Sequence, residues 1–282
     1  MRKLYALIGC PVQHSLSPLM HNDAFHQLGI EAYYHAFHVE REQLEEAVKG
    51  IKALGISGIN VTIPHKTAVI PFLDEVDETA RRIGAVNTIV NENGRLIGYN
   101  TDGPGFVRAL QEEVKVEVAG KRILLIGAGG AARGIYFTLV HCGAERIDIC
   151  NRTVSKAQEL IAESDVAIAS AAYSLQEAEE RLGDYDILIN TTSVGLYPHV
   201  DEMPISLANM KEGTVVSDII YNPLETKWLQ EARTRKAIVQ NGVGMFVYQG
   251  ALAFEKWTGI FPNVQRMKQI VIQHLEGNNV NR

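Results

Sequence analysis

The sequence predicts an α/β protein that contains two domains. Short apolar runs rich in β-branched residues alternate with helical patterns along most of the chain, which is the order of elements in α/β folds. A glycine-rich turn follows an apolar strand near the middle of the chain, and a length of 282 residues suits about two domains. Because so much of the chain precedes that turn, we expect a separate N-terminal α/β domain, then a doubly wound domain and a helical C-terminal segment.

The N-terminal hundred residues predict three strands, two helices and a hairpin. The predicted strands cover residues 4–9, 33–39 and 58–63, and the predicted helices cover 18–28 and 41–54. Residues 85–90 and 96–99 are further strand patterns, separated by a segment that ends in the hairpin dipeptide Asn93-Gly94. We expect an antiparallel pair at the end of this domain.

The second domain begins with a helix after residues 100–105. Strand patterns follow near Ile123 and Ile147 and at residues 186–190, 215–219 and 238–240, in the order of a doubly wound sheet. The last part of the chain is helical without strands, with helices predicted at 245–257 and 264–275. The predicted domains are therefore 1–102, 103–241 and a C-terminal helical segment, 242–282.

The glycine-rich turn has the pattern of a Rossmann-like dinucleotide site. An apolar strand runs directly into Gly127-Ala128-Gly129-Gly130-Ala131-Ala132. The first glycine permits a tight turn, the second lets the backbone approach a pyrophosphate, and Ala132 is small enough for the helix to pack on the strand. The N–H groups at the start of that helix would face the phosphates.

The residues after the next strand indicate which dinucleotide binds. In an NAD site that strand ends in a carboxylate that binds the ribose 2′-hydroxyl, whereas here the sequence reads Asn151-Arg152-Thr153, with Lys156 one helical turn later. A guanidinium pairs well with a 2′-phosphate, a group that NADP has and NAD lacks. We therefore predict NADP as the cofactor. The alternative is that Arg152 and Lys156 are ordinary solvated charges at a helix start.

Composition excludes several other classes of function. The net charge of −6 and the scattered cations oppose binding to nucleic acid or to an anionic membrane, and no apolar run approaches the ~20 residues of a membrane span. The chain starts directly on a strand pattern, so we expect a cytoplasmic protein. Its three cysteines lack the spacing of metal ligands, and neither zinc nor disulfides are expected.

A lysine follows a strand of the N-terminal domain, in Asn60-Val-Thr-Ile-Pro-His-Lys66. The carboxyl ends of parallel strands are where active sites collect. An ammonium there can stabilise the negative charge that a hydride builds on a ketone oxygen and can then donate the proton. Taken alone, the motif favours a solvated lysine that caps a loop, because most lysines are exposed.

Eight segments in order give the chain a resemblance to shikimate dehydrogenases over its whole length. They are Pro11–Pro18, Asn60–Lys66, Gly84–Thr88, Gly98–Gly103, Gly127–Ala132, Asn151–Thr153, Asn190–Gly195 and Gln240–Gly242. The basic Asn151–Thr153 segment resembles the NADP-dependent biosynthetic branch. The resemblance implies reversible reduction of 3-dehydroshikimate to shikimate, on the route to chorismate and the aromatic amino acids, by a monomer or homodimer whose C-terminal helices return to the first domain.

The resemblance also implies the roles of individual residues. Lys66 and Asp102 would be the catalytic pair, with Asp102 accepting hydrogen bonds from the ammonium and from the reacting hydroxyl. Residues implied to bind substrate are Ser15, Ser17, Asn60, Thr62, Asn87, Tyr221 and Gln249. Residues implied to bind the cofactor, besides the glycine turn and the basic segment, are Thr192, Ser193, Gly195, Ile219, Gly242 and Met245.

Three alternatives stay open on the sequence. A quinate/shikimate dehydrogenase that uses NAD would share the fold, although Arg152 argues against it. A folate-linked methylene dehydrogenase also places a lysine before a Rossmann domain, and Ser15, Ser17 and Asp102 disfavour it. A non-enzymatic NADP-binding regulator would have no need of both Lys66 and Asp102.

Overall fold

The computed structural model describes residues 2–164 and 166–279, and in it the chain forms two compact units. Unit 1 comprises Met1–Asp102 and Val247–Arg282, and unit 2 comprises Gly103–Phe246. The sequence-based boundaries lay at residues 102 and 242. The second division between the units therefore falls five residues later, inside a helix rather than at its start.

Twelve strands and ten α-helices form in the described residues. The strands are β1 (Lys3–Gly9), β2 (Ala32–His38), β3 (Gly58–Val61), β4 (Glu75–Val76), β5 (Thr88–Glu92), β6 (Arg95–Tyr99), β7 (Arg122–Ile126), β8 (Arg146–Cys150), β9 (Ala172–Tyr173), β10 (Ile187–Asn190), β11 (Val215–Asp218) and β12 (Ile238–Gln240). The helices are α1 (Ser17–Gln27), α2 (Leu44–Leu54), α3 (Glu78–Ile83), α4 (Asp102–Val114), α5 (Gly130–His141), α6 (Val154–Ala162), α7 (Leu175–Glu179), α8 (Lys227–Thr234), α9 (Val243–Thr258) and α10 (Val264–Asn279).

Unit 1 contains a mixed sheet with strand order β2-β1-β3-β5-β6-β4. Its first three strands are parallel, and β5 and β6 form the predicted antiparallel hairpin. Because side chains alternate along a strand, β1 supplies both faces of the core. Ala6 and Ile8 pack in the cluster that contains residues of α2, whereas Tyr5 and Leu7 pack with aromatic residues of α1 and α9.

The C-terminal helices are anchored in unit 1 by specific polar contacts. The indole Nε1 of Trp257 donates a 3.0 Å hydrogen bond to the carbonyl of Ile89 in β5. On α10, Arg266 makes two 2.7 Å hydrogen bonds to the carboxylate of Asp23 on α1. These contacts hold segments that are more than 160 residues apart in sequence.

Unit 2 contains a six-stranded parallel sheet with order β12-β11-β10-β7-β8-β9. This is the doubly wound arrangement, in which the strand order reverses beside the first strand and leaves a binding crevice at the carboxyl ends. All of β10 and all of β7 after Arg122 are buried, as expected for strands covered on both faces. The predicted fold class, an α/β domain followed by a Rossmann-like domain, is confirmed.

The observed elements differ from the predicted ones at a few places. Helix α4 begins at Asp102, inside the segment that we expected to precede it, and β3 ends at Val61 rather than at residue 63. The antiparallel pair β5–β6 stands at the end of residues 1–102, as predicted, and the unpredicted strand β4 pairs with the outer side of β6. Strands β4 and β9 have two residues each, too few for a periodic pattern. Among the described residues, none of the helices combines the length and the apolar character needed to cross a bilayer.

Candidate active site

The centre of the candidate site in unit 1 is an ion pair between Lys66 and Asp102. The Lys66 ammonium donates a 2.5 Å hydrogen bond to Oδ2 of Asp102. The Asp102 side chain is only 6% exposed and that of Lys66 is 16% exposed. The carboxylate is therefore withdrawn from solvent, while part of the Lys66 side chain stays exposed.

Strand ends and backbone hydrogen bonds position this pair. After β3 ends, His65 N–H donates to the carbonyl of Thr62 and forms a turn that delivers Lys66. The Lys66 carbonyl then accepts from Val86 N–H, immediately before Asn87. Asp102 is the first residue of α4, and its backbone N–H donates to the side chain of Asn100. Each catalytic candidate is thus fixed through its main chain.

Asn87 holds the second oxygen of the same carboxylate. Its Nδ2 donates 2.9 Å hydrogen bonds to Oδ1 of Asp102 and to Oγ1 of Thr101. Its Oδ1 accepts from Thr101 N–H at 2.8 Å and lies 3.1 Å from the hydroxyl of Thr88. Because both amide hydrogens are in use, Asn87 orients Asp102 in this state of the protein.

Asn60 links the Lys66–Asp102 centre to Tyr34 through hydrogen bonds. Its Oδ1 accepts a 2.7 Å hydrogen bond from the hydroxyl of Tyr34, and its Nδ2 donates to the carbonyl of Asn87. Tyr34 also makes a side-chain hydrogen bond with Ser17, and burial raises its pKa well above the ordinary value. Ser17, Asn60, Asn87, Asp102 and Lys66, all predicted from sequence, therefore belong to one polar network in unit 1.

The other predicted substrate residues of unit 1 lie around that network. Ser15 accepts a hydrogen bond from Ser17 N–H through its hydroxyl, in the turn before α1. Thr62 follows β3 with a half-buried side chain, whose methyl group packs beside Gly9. Gln249 is half-buried on α9.

Three buried members of the network were missed by the sequence analysis: Tyr34, Thr88 and Thr101. Thr88 and Thr101 stand directly beside Asn87 and Asp102 in the motifs, and their small hydroxyl side chains were the available signal. Tyr34 is the one fully buried residue of β2, and a tyrosine that faces inward resembles an ordinary core residue.

In unit 2, the glycine turn has the geometry that a pyrophosphate needs. Gly127 has φ of +106°, and a Cβ there would collide with the side chains of Thr191 and Thr192. Gly129 is the N-cap of α5, so no side chain caps the first N–H groups of that helix. A Cβ at Gly129 would meet no other atom within 4 Å. Ala128 in the turn is half-buried, and at the start of α5 Gly130 is exposed and Ala131 is half-buried. The first N–H groups of α5 are thus accessible to an anion.

The basic segment lies at the carboxyl end of β8, the strand beside β7. Asn151 donates a 2.8 Å hydrogen bond to the carbonyl of Thr153, which fixes the turn before α6. Arg152 and Lys156 are exposed, and neither forms an ion pair with any residue in 2–164 or 166–279. Both cations are therefore available to a ligand phosphate.

A buried carboxylate organises the loop that contains Thr192, Ser193 and Gly195. Asn190, the last residue of β10, donates to Oδ1 of Asp218 and accepts from both the N–H and the hydroxyl of Thr192. Asp218 also accepts from Thr226. Burial raises the pKa of Asp218 to about 6, against the effect of its hydrogen bonds. No sequence motif had marked Asp218 as a supporting group, because it lies at the end of a buried strand.

The residues predicted to border the nicotinamide are adjacent in unit 2. Gly242 packs so closely on Ile219 that a Cβ would collide with the Ile219 carbonyl group. Met245 follows on α9 and is 9% exposed. Tyr221, which was predicted to bind substrate, also lies in unit 2. Its ring packs in a tilted arrangement on that of Phe246, with ring centroids 4.7 Å apart, and burial raises its pKa.

Comparisons with known proteins identify the family of this chain. Residues 7–89 match the model of the shikimate dehydrogenase substrate binding domain, and residues 109–221 match that of shikimate / quinate 5-dehydrogenase. Residues 242–272 match the shikimate 5′-dehydrogenase C-terminal domain. The chain belongs to the shikimate dehydrogenase family.

Relatives within the shikimate dehydrogenase family cover the whole chain. A shikimate dehydrogenase (NADP+) from Geobacillus sp. (strain WCH70) is 76% identical over 98% of this chain and 100% of its own. One from Geobacillus kaustophilus (strain HTA426) is 67% identical over 98% and 99%. The crystal structure of the Thermus thermophilus enzyme in complex with NADP(H) and shikimate has a TM-score of 0.88 at 36% identity and covers 96% of this chain and 99% of that one. The family predicted from eight sequence segments is confirmed.

Proposed function

We propose that this chain catalyses the reversible NADPH-dependent reduction of 3-dehydroshikimate to shikimate. The observation that carries the proposal is the ion pair between the partly buried Lys66 and the buried carboxylate of Asp102. Full-length relatives at 67% and 76% identity are shikimate dehydrogenases (NADP+). The oxidoreductase function, the cofactor and the place in aromatic amino acid and chorismate biosynthesis predicted from sequence agree with these relatives.

Lys66 acts as the acid in the reductive direction. When bound, NADPH supplies the hydride. The ammonium stabilises the charge that develops on the ketone oxygen and donates its proton there. In the oxidative direction, neutral Lys66 accepts the proton of the reacting hydroxyl. Asp102 holds the ammonium at 2.5 Å, and Asn87 prevents the carboxylate from turning away.

The proposed substrate residues suit a ring acid with several hydroxyl groups. Hydroxyl and amide side chains both donate and accept hydrogen bonds, so they can match alcohols without burying net charge. In unit 1 these residues are Ser15, Ser17, Asn60, Thr62, Asn87 and Gln249, and in unit 2 the proposed contact is Tyr221. Asn87 would exchange one of its present amide hydrogen bonds for the substrate.

The described residues of unit 2 fit NADP better than NAD. The uncapped start of α5 and the open space at Gly129 suit the pyrophosphate. Exposed Arg152 and Lys156 suit the 2′-phosphate, with Asn151 and Thr153 shaping the turn between strand and helix. Thr192, Ser193 and Gly195 are proposed near the nicotinamide ribose, and Ile219, Gly242 and Met245 beside the nicotinamide.

The proposed enzyme has two domains and a C-terminal helical segment. We infer a substrate domain at residues 1–102, an NADP domain at 103–241 and C-terminal helices at 242–282 that belong with the first domain. We further infer a cytoplasmic enzyme, monomeric or homodimeric, with small molecules as its ligands.

The test is a comparison of four oxidation reactions, shikimate or quinate with NADP+ or NAD+, each at matched concentrations and followed by absorbance of the reduced nicotinamide. The proposal expects turnover of shikimate with a strong preference for NADP+. Turnover of quinate with NAD+ as the preferred pair would assign the protein to catabolism instead. Absence of turnover with all four pairs would refute the dehydrogenase activity on these substrates.

A further inference from the structure

Three potential metal ligands meet at the carboxyl ends of β1 and β2, outside the network described above. They are the thiol of Cys10, the imidazole of His38 and the carboxylate of Glu40, with one ligand atom from each lying within 4.8 Å of the others. The parallel pairing of β1 with β2 places Gly9 opposite His38, so Cys10 follows directly beside the histidine. Cys10 is half-buried and the other two are exposed.

The side chains of this cluster lie within hydrogen-bond distance of one another. Sγ of Cys10 lies 3.4 Å from Nε2 of His38 and 3.3 Å from Oε2 of Glu40, and Nε2 lies 2.8 Å from Oε1. Zinc bonds of about 2.0–2.3 Å in a tetrahedron place neighbouring ligand atoms about 3.3 to 3.6 Å apart. Because Sγ and Nε2 contact different oxygens of Glu40, a rotation of this carboxylate with movement of the thiol and the imidazole would bring one ligand atom of each residue onto one ion.

We propose that Cys10, His38 and Glu40 bind a divalent zinc-type ion through three protein ligands, with water completing the tetrahedron. Thiolate and imidazole favour zinc over magnesium or calcium, whose preferred ligands are oxygens. The exposure of His38 and Glu40 leaves a path for the ion and for the water. Binding replaces the proton that the Cys10 thiol now donates to Glu40.

No metal was expected from the sequence, because its three cysteines lack ligand spacing. That expectation considered neighbours along the chain, whereas this cluster joins residues 28 and 30 positions apart. The pairing of two strands, rather than a spaced motif, creates the site.

The backbone of the cluster is hydrogen-bonded to the segment that contains Lys66. Cys10 N–H donates a 2.9 Å hydrogen bond to the carbonyl of Ile63. The carbonyl of Val39, between the two exposed ligands, accepts a 2.7 Å hydrogen bond from Nε2 of buried His65. Because an ion here can alter activity through these contacts, the test measures binding rather than turnover.

The experiment titrates the metal-free, full-length protein with Co²⁺ and then displaces it with Zn²⁺. The proposal expects one Co²⁺ per chain, a thiolate-to-cobalt charge-transfer band and the visible bands of a tetrahedral ion. Cys10→Ser should abolish the charge-transfer band, whereas Cys142→Ser, at the other half-buried thiol, should retain it. His38→Gln and Glu40→Gln should each weaken binding at least about tenfold, whereas His35→Gln and Glu42→Gln should not.

A second measurement needs no variant. X-ray absorption of the zinc-loaded natural protein should show one sulfur ligand at about 2.3 Å and nitrogen or oxygen ligands at about 2.0 Å. A shell without sulfur, a charge-transfer band that survives Cys10→Ser, or absence of a stoichiometric band would each overturn the proposal. Unchanged affinity in His38→Gln would do the same.

Discussion

Asn87 Nδ2 lies 2.9 Å from Oδ1 of Asp102 and donates a hydrogen bond to it, while Lys66 binds the other carboxylate oxygen. Each oxygen therefore has its own donor, and the plane of the carboxylate is fixed. A proton donor works efficiently only when it is held at the correct place, and small displacements cost rate. The arrangement makes Asn87 a positioning residue as well as a proposed substrate contact.

Replacing Asn87 should therefore affect turnover more than removal of a neighbouring hydroxyl. In Asn87→Ala, Asp102 loses one donor, and we expect kcat to fall about tenfold or more. The lost buried hydrogen bonds should also lower the free energy of unfolding by about 1 to 3 kcal/mol. Thr88→Val keeps the shape of the side chain and removes the hydroxyl that contacts the amides of Asn60 and Asn87 and the hydroxyl of Thr101. Equal loss of kcat in both variants would mean that Asn87 has no particular role.

Lys66→Ala should lower kcat about 100-fold or more, because the developing charge on the ketone oxygen loses its proton donor. The dissociation constant for NADPH, measured by fluorescence titration, should stay nearly unchanged. Lys52→Ala is the matched control, since Lys52 pairs with Asp74 on the surface of the same unit. Weaker NADPH binding with normal turnover at saturation would contradict the assignment.

The sequence predicted those parts of the fold and the site that short patterns encode. Lys66, Asn87 and Asp102 each belong to a local motif, and the structure brings them together. Five of the six strands of unit 2, all except β9, were also predicted in order, because buried parallel strands are apolar runs between turns.

Features that depend on sheet pairing were not predicted. Tyr34 reaches Asn60 because β2 and β3 both pair with β1, and a single sequence does not specify that arrangement. Asp218 bonds to Asn190 for the same reason, across the pairing of β10 with β11. The cluster of Cys10, His38 and Glu40 has this origin too.

Arg152→Ala should weaken NADP binding at least about tenfold, because a charge-assisted contact with the 2′-phosphate is lost. Binding of NAD should change little, since NAD has no phosphate at that position. The control is Arg235→Ala, an exposed arginine of unit 2 that pairs with Glu231. Titration of both cofactors against each variant measures the effect. A similar loss for NAD and NADP would show that Arg152 does not contact the phosphate.

Gly129→Ala should separate ligand binding from stability. A Cβ at Gly129 meets nothing within 4 Å, and φ of −91° suits any residue, so the free energy of unfolding should change by less than about 0.5 kcal/mol. The added methyl group would occupy the proposed approach of the pyrophosphate, and the dissociation constant for NADP should rise about tenfold. Gly127→Ala provides the contrast, because positive φ and two close side chains should destabilise the fold itself. Unchanged NADP affinity in Gly129→Ala would place the pyrophosphate elsewhere.

His21 makes the stability of unit 1 depend on pH. Its ring is fully buried between aromatic side chains, and neither nitrogen has a hydrogen-bond partner among the described residues. Burial lowers its pKa from 6.5 to about 3. The unfolded chain therefore takes up a proton as the pH falls below 6.5, whereas the folded protein stays neutral until about pH 3. The free energy of unfolding should fall over this interval by about 1.4 kcal/mol per pH unit from His21 alone.

His21→Phe should remove this contribution while keeping an aromatic ring in the cluster. We expect the loss of stability between about pH 6 and pH 4, measured by urea unfolding, to be smaller in the variant by about 2 kcal/mol or more. His26→Gln is the matched control, because His26 is exposed on the same helix, α1, and should leave the dependence unchanged. Parallel curves for His21→Phe and the natural protein would mean that His21 can take up a proton in the folded state, through local opening of the aromatic cluster.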